Sequence, residues 1–446
     1  MQGVAAKDNY GHARGNLLNA DYSFGGEWLV SILDLDWVRA QFPALKQEVN
    51  GSPVIFLDGP AGTQVPLGVM EAMRDYLVQS NANSHGAFAT SFRTDQTISA
   101  ARAALADLLG CEAAEIVCGP NMTTLTFALS RALGRELRPG DEVVVTRLDH
   151  DANVAPWRAL EERGAVIREV DFNVDDCTLD MADLGQQINM RTRVVAVGQA
   201  SNAVGTINDV AEVVRLAHRV GALAFIDAVH YAPHGFIDVR ALDCDFLLCS
   251  PYKFFGPHQG VLYGKREHLA RLRPYKVRPC SDEVPDRWET GTKCHEALAG
   301  VTAAIDYLAE LGRRAQPGAT TRRAQLAAAY AAIQTYERDL VRHLIAGLVK
   351  IPGLAFYGIK DPARFAWRVP TVAVRIAGHT PRELAAYLGE RGIFTWDGNY
   401  YALSVTERLG VESSGGMLRI GLVHYNTAEE VNRFLEVLCA LPRRAS

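Results

Sequence analysis

Lys253 stands in "CSPYKFFGP" (249–257), directly after the apolar run Phe246 to Leu248 and among Tyr252, Phe254 and Phe255. An amine kept from water by aromatic neighbours loses basicity, so it can form a Schiff base or take a proton. The competing reading is a surface lysine that lays its stem over those rings. Other reactive types fall at matching places. Asp227 and His230 sit at the end of "ALAFIDAV" (222–229), and Asn202 follows "RVVAVGQA" (193–200). His150 follows "EVVVTRL" (142–148), and Ser250 ends "FLLCS" (246–250). Thr123 and Thr124 open a helical stretch after "CGPN".

An amine, a carboxylate, a flat ring and hydroxyls at a helix N-terminus are the requirements of pyridoxal 5'-phosphate (PLP). The lysine forms the Schiff base and the carboxylate keeps the pyridine nitrogen protonated. The helix end takes the phosphate. Rival chemistries fail on spacing. No GxGxxG follows a strand, and "GVLYGK" (260–265) lacks the spacing and the Ser/Thr of a phosphate loop. His230 and His234 with Cys244 and Cys249 do not form a zinc set, because strand alternation separates the cysteines; no metal is expected. Asp149-His150-Asp151 has no GxSxG partner for a serine triad.

These residues need a scaffold that brings strand ends to one rim. The runs 142–148, 165–170, 193–200, 222–229 and 246–250 are apolar and rich in β-branched residues, with helical stretches at 94–110 and 123–133. Near-continuous apolar strands are covered by helices on both faces. The expected fold is α/β, with a large, mostly parallel sheet whose carboxyl-end rim binds the ligand. A composition shift at "RRAQPGATTRRAQ" (313–325) precedes a long helix over 321–350. Strands in "TVAVRIAG" and "MLRIGLVHY" follow, and then a last helix capped by Thr427. The expected division is an extension and entry helix over 1–50 packing with the small domain, a large domain over 51–315, and a small α/β domain over 316–446.

Composition sets the class. The 446 residues are 48% hydrophobic and 22% charged with net charge −5, so nothing favours nucleic acid or an anionic membrane. The apolar runs are strand-sized and the start is polar, which points to a cytoplasmic protein. Eight scattered cysteines fit a reduced compartment rather than a disulfide framework.

The chain also resembles the class-V aminotransferase family of PLP fold type I, in its cysteine desulfurase-like and selenocysteine lyase-like branch. The resemblance covers about 50–440, and it implies a large, mostly parallel seven-stranded sheet domain with a smaller C-terminal α/β domain. Its markers include "LDGPAG", "NSHGAFATS", "NMTTLTFAL", "LDHDANVAPW", "QASNAVGTINDV", "FIDAVHYAPHGFIDV", "SPYKFFGPHQGVLYGK", "RWETGT" and "LRIGLVHYNT". It implies that Lys253 bonds the cofactor, Asp227 pairs with its ring nitrogen and His150 stacks on its ring. Asn202 and His230 would lie near the ring hydroxyl. Thr123, Thr124 and Ser250 would hold the phosphate, and Thr292 would reach the other subunit's cofactor in a homodimer with sites at the interface. Arg419 would grip the carboxylate of an amino-acid substrate, and His85 would sit on a substrate loop. Tyr252 stands where the family often has a phosphate-binding histidine, and His230 where it often has glutamine.

One departure bears on the reaction. Desulfurases of the family carry a nucleophilic cysteine on a mobile small-domain loop, and the matching "GIFTWDGNYYALS" (392–404) has none. Cys280 and Cys294 flank "ETGT" but come from another position. The expected reaction is therefore β-elimination at a Cβ–S bond. Trp396, Tyr400 and Tyr401 suit a substituent larger or more apolar than that of free cysteine. Epimerisation or transamination on the same scaffold is the alternative enzyme reading, and a non-catalytic PLP-binding sensor the alternative of another class.

Overall fold

The computed structural model describes residues 33–442. The expectations for residues 1–30 lie outside them. The larger sheet is built from β1 (Ile116–Gly119), β2 (Glu142–Thr146), β3 (Val166–Val170), β4 (Thr192–Gly198), β5 (Leu223–Asp227), β6 (Phe246–Cys249) and β7 (Gly260–Gly264). Their order is β1-β7-β6-β5-β4-β2-β3, seven strands among the described residues. β2 to β6 pair in parallel, and β7 is antiparallel to both β1 and β6.

The apolar runs form strands because both faces are buried. Val144, Val195, Val197, Ile226 and Leu247 enter one core, while their neighbours Val143, Val194, Ala196, Phe225 and Leu248 enter the other. That is period-two alternation with apolar residues at every position. The chain leaves β2 toward one edge of the sheet and β4 toward the other. The loops after these two strands therefore part, and the parting opens the crevice in which such sheets bind ligands.

The smaller sheet contains β8 (Leu354–Tyr357), β9 (Thr371–Ile376), β10 (Trp396–Gly398) and β11 (Met417–Gly421). It runs β8-β9-β11-β10, with every pair antiparallel. Ile55–Phe56 pairs with Ile393–Phe394, and Asp58 bridges to Gly421, so the "LDGPAG" stretch lies against the end of β11. Thr427 caps the helix Ala428–Cys439 in a reciprocal box with Glu430, as its sequence predicts. At the other end of the described chain, Asp34 caps Leu35–Ala40, and Arg39 pairs with Glu430 at 2.8 Å.

Several elements differ from the sequence reading, which also missed the helices Leu67–Gln79 and His295–Ala315. The helix expected to begin at 94 spans Ala89–Leu109, and no side chain caps its start at Phe88. β1 is only four residues long and lies between a 3₁₀ turn and a helix cap, too short for its alternation to register.

Candidate active site

β6 ends at Cys249, and a single turn, Pro251–Lys253, swings the lysine back over the sheet rim. Lys253 is buried, and its Nζ donates to the carbonyl of Pro60, with the Tyr252 ring centre 4.9 Å away. Burial, with Arg419 nearby, lowers the amine to about 7; Asp227 and Asp58 oppose the shift without cancelling it. The surface-lysine reading fails on this burial.

Asp227 closes β5. One of its oxygens accepts from the Val229 N–H at 2.9 Å. Burial raises its carboxyl to about 6, against that hydrogen bond and Lys253. His150 leads the loop after β2, and its Nδ1 accepts from the Ala152 N–H at 3.0 Å, which leaves the ring proton on Nε2. Burial first, then Lys253 and Arg419, holds the imidazole down to about 4, so it is neutral. His230 is lowered mainly by burial and by His234; its Nε2 meets Thr371 Oγ1 at 3.0 Å and its Nδ1 is buried without a partner.

These groups meet in one open cleft, about 580 Å³ of empty space counted out into open solvent, lined by Thr123, His150, Asn202, Asp227, His230, Ser250, Tyr252 and Lys253 among others. Eight of the twelve residues singled out from sequence therefore converge. Thr124 does not line it: its N–H is taken by the Asn121 side chain, which caps the helix Met122–Leu133. Thr292 is exposed on the segment after Trp288, and His85 is exposed beside Asp95.

Arg419, in the middle of β11, lies just beyond the lining. It donates to the Asn202 carbonyl at 2.9 Å, and its guanidinium lies over the Tyr400 ring at 4.3 Å. It is fully buried, and among the described residues it has no carboxylate within ion-pair distance.

Three contributors escaped the sequence reading. Asn121 provides the helix cap, which "PNMTT" signals. Asp149 accepts from Thr146 Oγ1 and the Gly198 N–H, and burial plus Asp227 raises it to about 8. Asp58 is raised to about 6 by burial, with one oxygen unpartnered, while Arg419 and Lys253 pull it down. The last two lie inside quoted motifs, but their types alone do not reveal burial.

The residues fit a PLP-sized group. Asn202 Oδ1 and His230 Nδ1 are buried and unpartnered beside the cavity. The first turn of Met122–Leu133 presents its free N–H groups at the wall. Gly260 permits this: a Cβ there would meet the Asn121 carbonyl carbon at 2.3 Å, so only glycine lets β7 run so close to the helix start.

The family model for class-V aminotransferases matches residues 55–330 and 319–434. A cysteine desulfurase of Dickeya dadantii is 34% identical over 92% of this chain and 97% of its own. One from Pectobacterium carotovorum is 32% identical over 92% and 98%. Among solved structures, an apo cysteine desulfurase from Thermococcus onnurineus superposes with a TM-score of 0.81 at 28% identity, covering 92% of this chain and 98% of that one. An Escherichia coli cysteine desulfurase in its S-sulfonic acid form gives 0.77 at 27%, covering 91% and 97%. With this site on this sheet, the chain belongs to the class-V aminotransferase family and is an enzyme of its cysteine desulfurase-like branch.

Proposed function

We propose that the protein holds PLP at Lys253 and catalyses β-elimination at the Cβ–S bond of a cysteine-type amino acid, as a C–S β-lyase. The observation that carries an amino-acid substrate is Arg419, a fully buried cation without an ion-pair partner among the described residues. A buried charge is tolerated when it is met by an opposite one, and a guanidinium fork suits a carboxylate.

When bound, the cofactor supplies an electron sink for bonds broken at the substrate Cα. The chain's own groups do the rest. Arg419 fixes the substrate carboxylate against Tyr400 and the Asn202 carbonyl. Lys253 Nζ, lowered to about 7, is a base of matched strength for the Cα proton. Asp227 would offer its carboxylate to the ring nitrogen, whose positive charge would counter the upward push of burial. His150 would cover one face of the ring and keep water away. Thr123, Ser250 and the helix start would hold the phosphate, and Asn202 and His230 would meet the ring oxygen.

Elimination is favoured over sulfur transfer because residues 392–404 carry no thiol. Cys118 and Cys249 are fully buried in the sheet, and burial raises both thiols strongly. Exposed Leu67, Met70, Leu77 and Val78 on the helix Leu67–Gln79, with exposed Phe88 and Phe92, support a homodimer, in which Thr292 would serve the partner's site. Among the described residues no helix is long and apolar enough to cross a membrane. The division near residue 315 belongs to the same proposal.

The test is to incubate the protein with PLP and S-substituted cysteines in deuterated water. Ketoacid and free thiol in equal amounts are expected. Deuterated substrate of inverted configuration, without thiol, contradicts elimination and establishes epimerisation.

A further inference from the structure

The loop after β10 is fastened to the rim of the larger sheet in an unfavourable backbone conformation. Tyr400 and Tyr401 both have left-handed φ values, 55° and 59°. For bulky residues this costs about 1–2 kcal/mol each and persists only where the surroundings impose it. The surroundings are specific. The Tyr401 carbonyl accepts from the Asp151 N–H at 2.6 Å, next to His150, and the Tyr400 carbonyl accepts from Asn202 Nδ2 at 2.9 Å. Asn399 takes the Tyr401 N–H on its side-chain oxygen at 3.1 Å and donates to Glu412 at 3.0 Å. The Tyr400 hydroxyl donates to the Met417 carbonyl. The strained pair is thus bolted to the two loops that part at the switch point.

The result is the placement of one ring. Tyr401 stacks on His150 with ring centres 5.6 Å apart and planes 21° apart. His150 lines the cavity and Tyr401 does not; the tyrosine stays 74% exposed while its ring packs on the imidazole. We propose that Tyr401 is a positioning residue that clamps the outer face of His150, so that the imidazole lies flat against the cofactor ring. This deepens the PLP reading and rests on it. The loop then serves as a fixed aromatic clamp, and nothing on it reacts.

The clamp and a merely structural tyrosine make opposite demands on glycine. Tyr401→Gly suits the left-handed backbone and removes the ring. With PLP as the probe, Tyr401→Gly is expected to melt at or above the parent temperature. It should also release cofactor about three- to tenfold more readily, in line with the loss of one aromatic pair, with a weakened visible circular dichroism band. Tyr401→Phe keeps the ring and should match the parent within about twofold. A Tyr401→Gly variant with parental affinity and dichroism overturns the clamp. So does a Tyr401→Phe variant as impaired as the glycine one. A parent protein with no cofactor band at all overturns the PLP reading beneath it.

Discussion

The rim around Lys253 lines the cavity and the loop around Tyr401 backs it through His150, and the two are built by different rules. The rim is made of strand ends. Lys253, Asp227 and Ser250 are buried, and their backbone follows from apolar strands that stop where polar residues begin. The loop is made of tyrosines in left-handed conformations, an exposed ring and hydrogen bonds to distant segments. The comparison teaches that the chemistry common to the family sits on the rigid part. On the proposed function, the segment that lacks the thiol is the part that is strained into place.

The largest expected effect breaks the rim. Lys253→Ala should abolish the lysine-bound cofactor band and lower turnover about 10³-fold, the scale of a lost general base; a spectrophotometer and a thiol assay read both. Unchanged absorbance would remove Lys253 from the account.

Next is Arg419→Ala. It should lower kcat/KM by about 10²-fold or more, the scale of a lost buried charge pair, and Arg419→Lys should recover only part of it. Steady-state kinetics with a substrate and its amide, which lacks the carboxylate charge, checks the assignment: the variant should no longer tell them apart.

A pH experiment sharpens the contrast without mutation. Lys253 is lowered from 10.5 to about 7, so its reactive neutral form accumulates as pH rises through about 7. The rate at which cofactor-free protein takes up PLP should climb by up to about tenfold per unit below pH 7 and level off above it. An ordinary lysine would still be climbing at pH 9.

The smallest effect concerns the loop. Asn399→Ala removes the side-chain contacts to the Tyr401 N–H and to Glu412. It should cost about 1 kcal/mol in denaturant unfolding, more than an exposed loop position normally does.

The same contrast explains what was legible in the sequence. β2, β4, β5 and β6 were readable because doubly buried strands must be apolar at every position, and their polar ends then mark the rim. Lys253, Asp227 and His150 follow from that. Thr124 was as readable as Thr123, but the Asn121 cap that takes its N–H shows only in the geometry. Asp58 and Asp149 were in plain view, but their raised carboxyls depend on burial by segments far along the chain. Tyr400 and Tyr401 were readable as aromatic bulk only. Nothing local predicts left-handed tyrosines; contacts to Asn202 and Asp151 impose them.

The central claim is that the amine of Lys253 carries the reaction and no thiol of the protein takes part. Mass spectrometry of the intact protein during turnover of an S-substituted cysteine, with thiol release followed in parallel, tests it directly. The account predicts an unmodified protein mass with ketoacid and thiol appearing together. A sulfur adduct on the protein (a mixed disulfide from an S-substituted cysteine, a persulfide from free cysteine), at Cys294 or any other cysteine, with alanine in place of ketoacid, would contradict it and restore sulfur transfer.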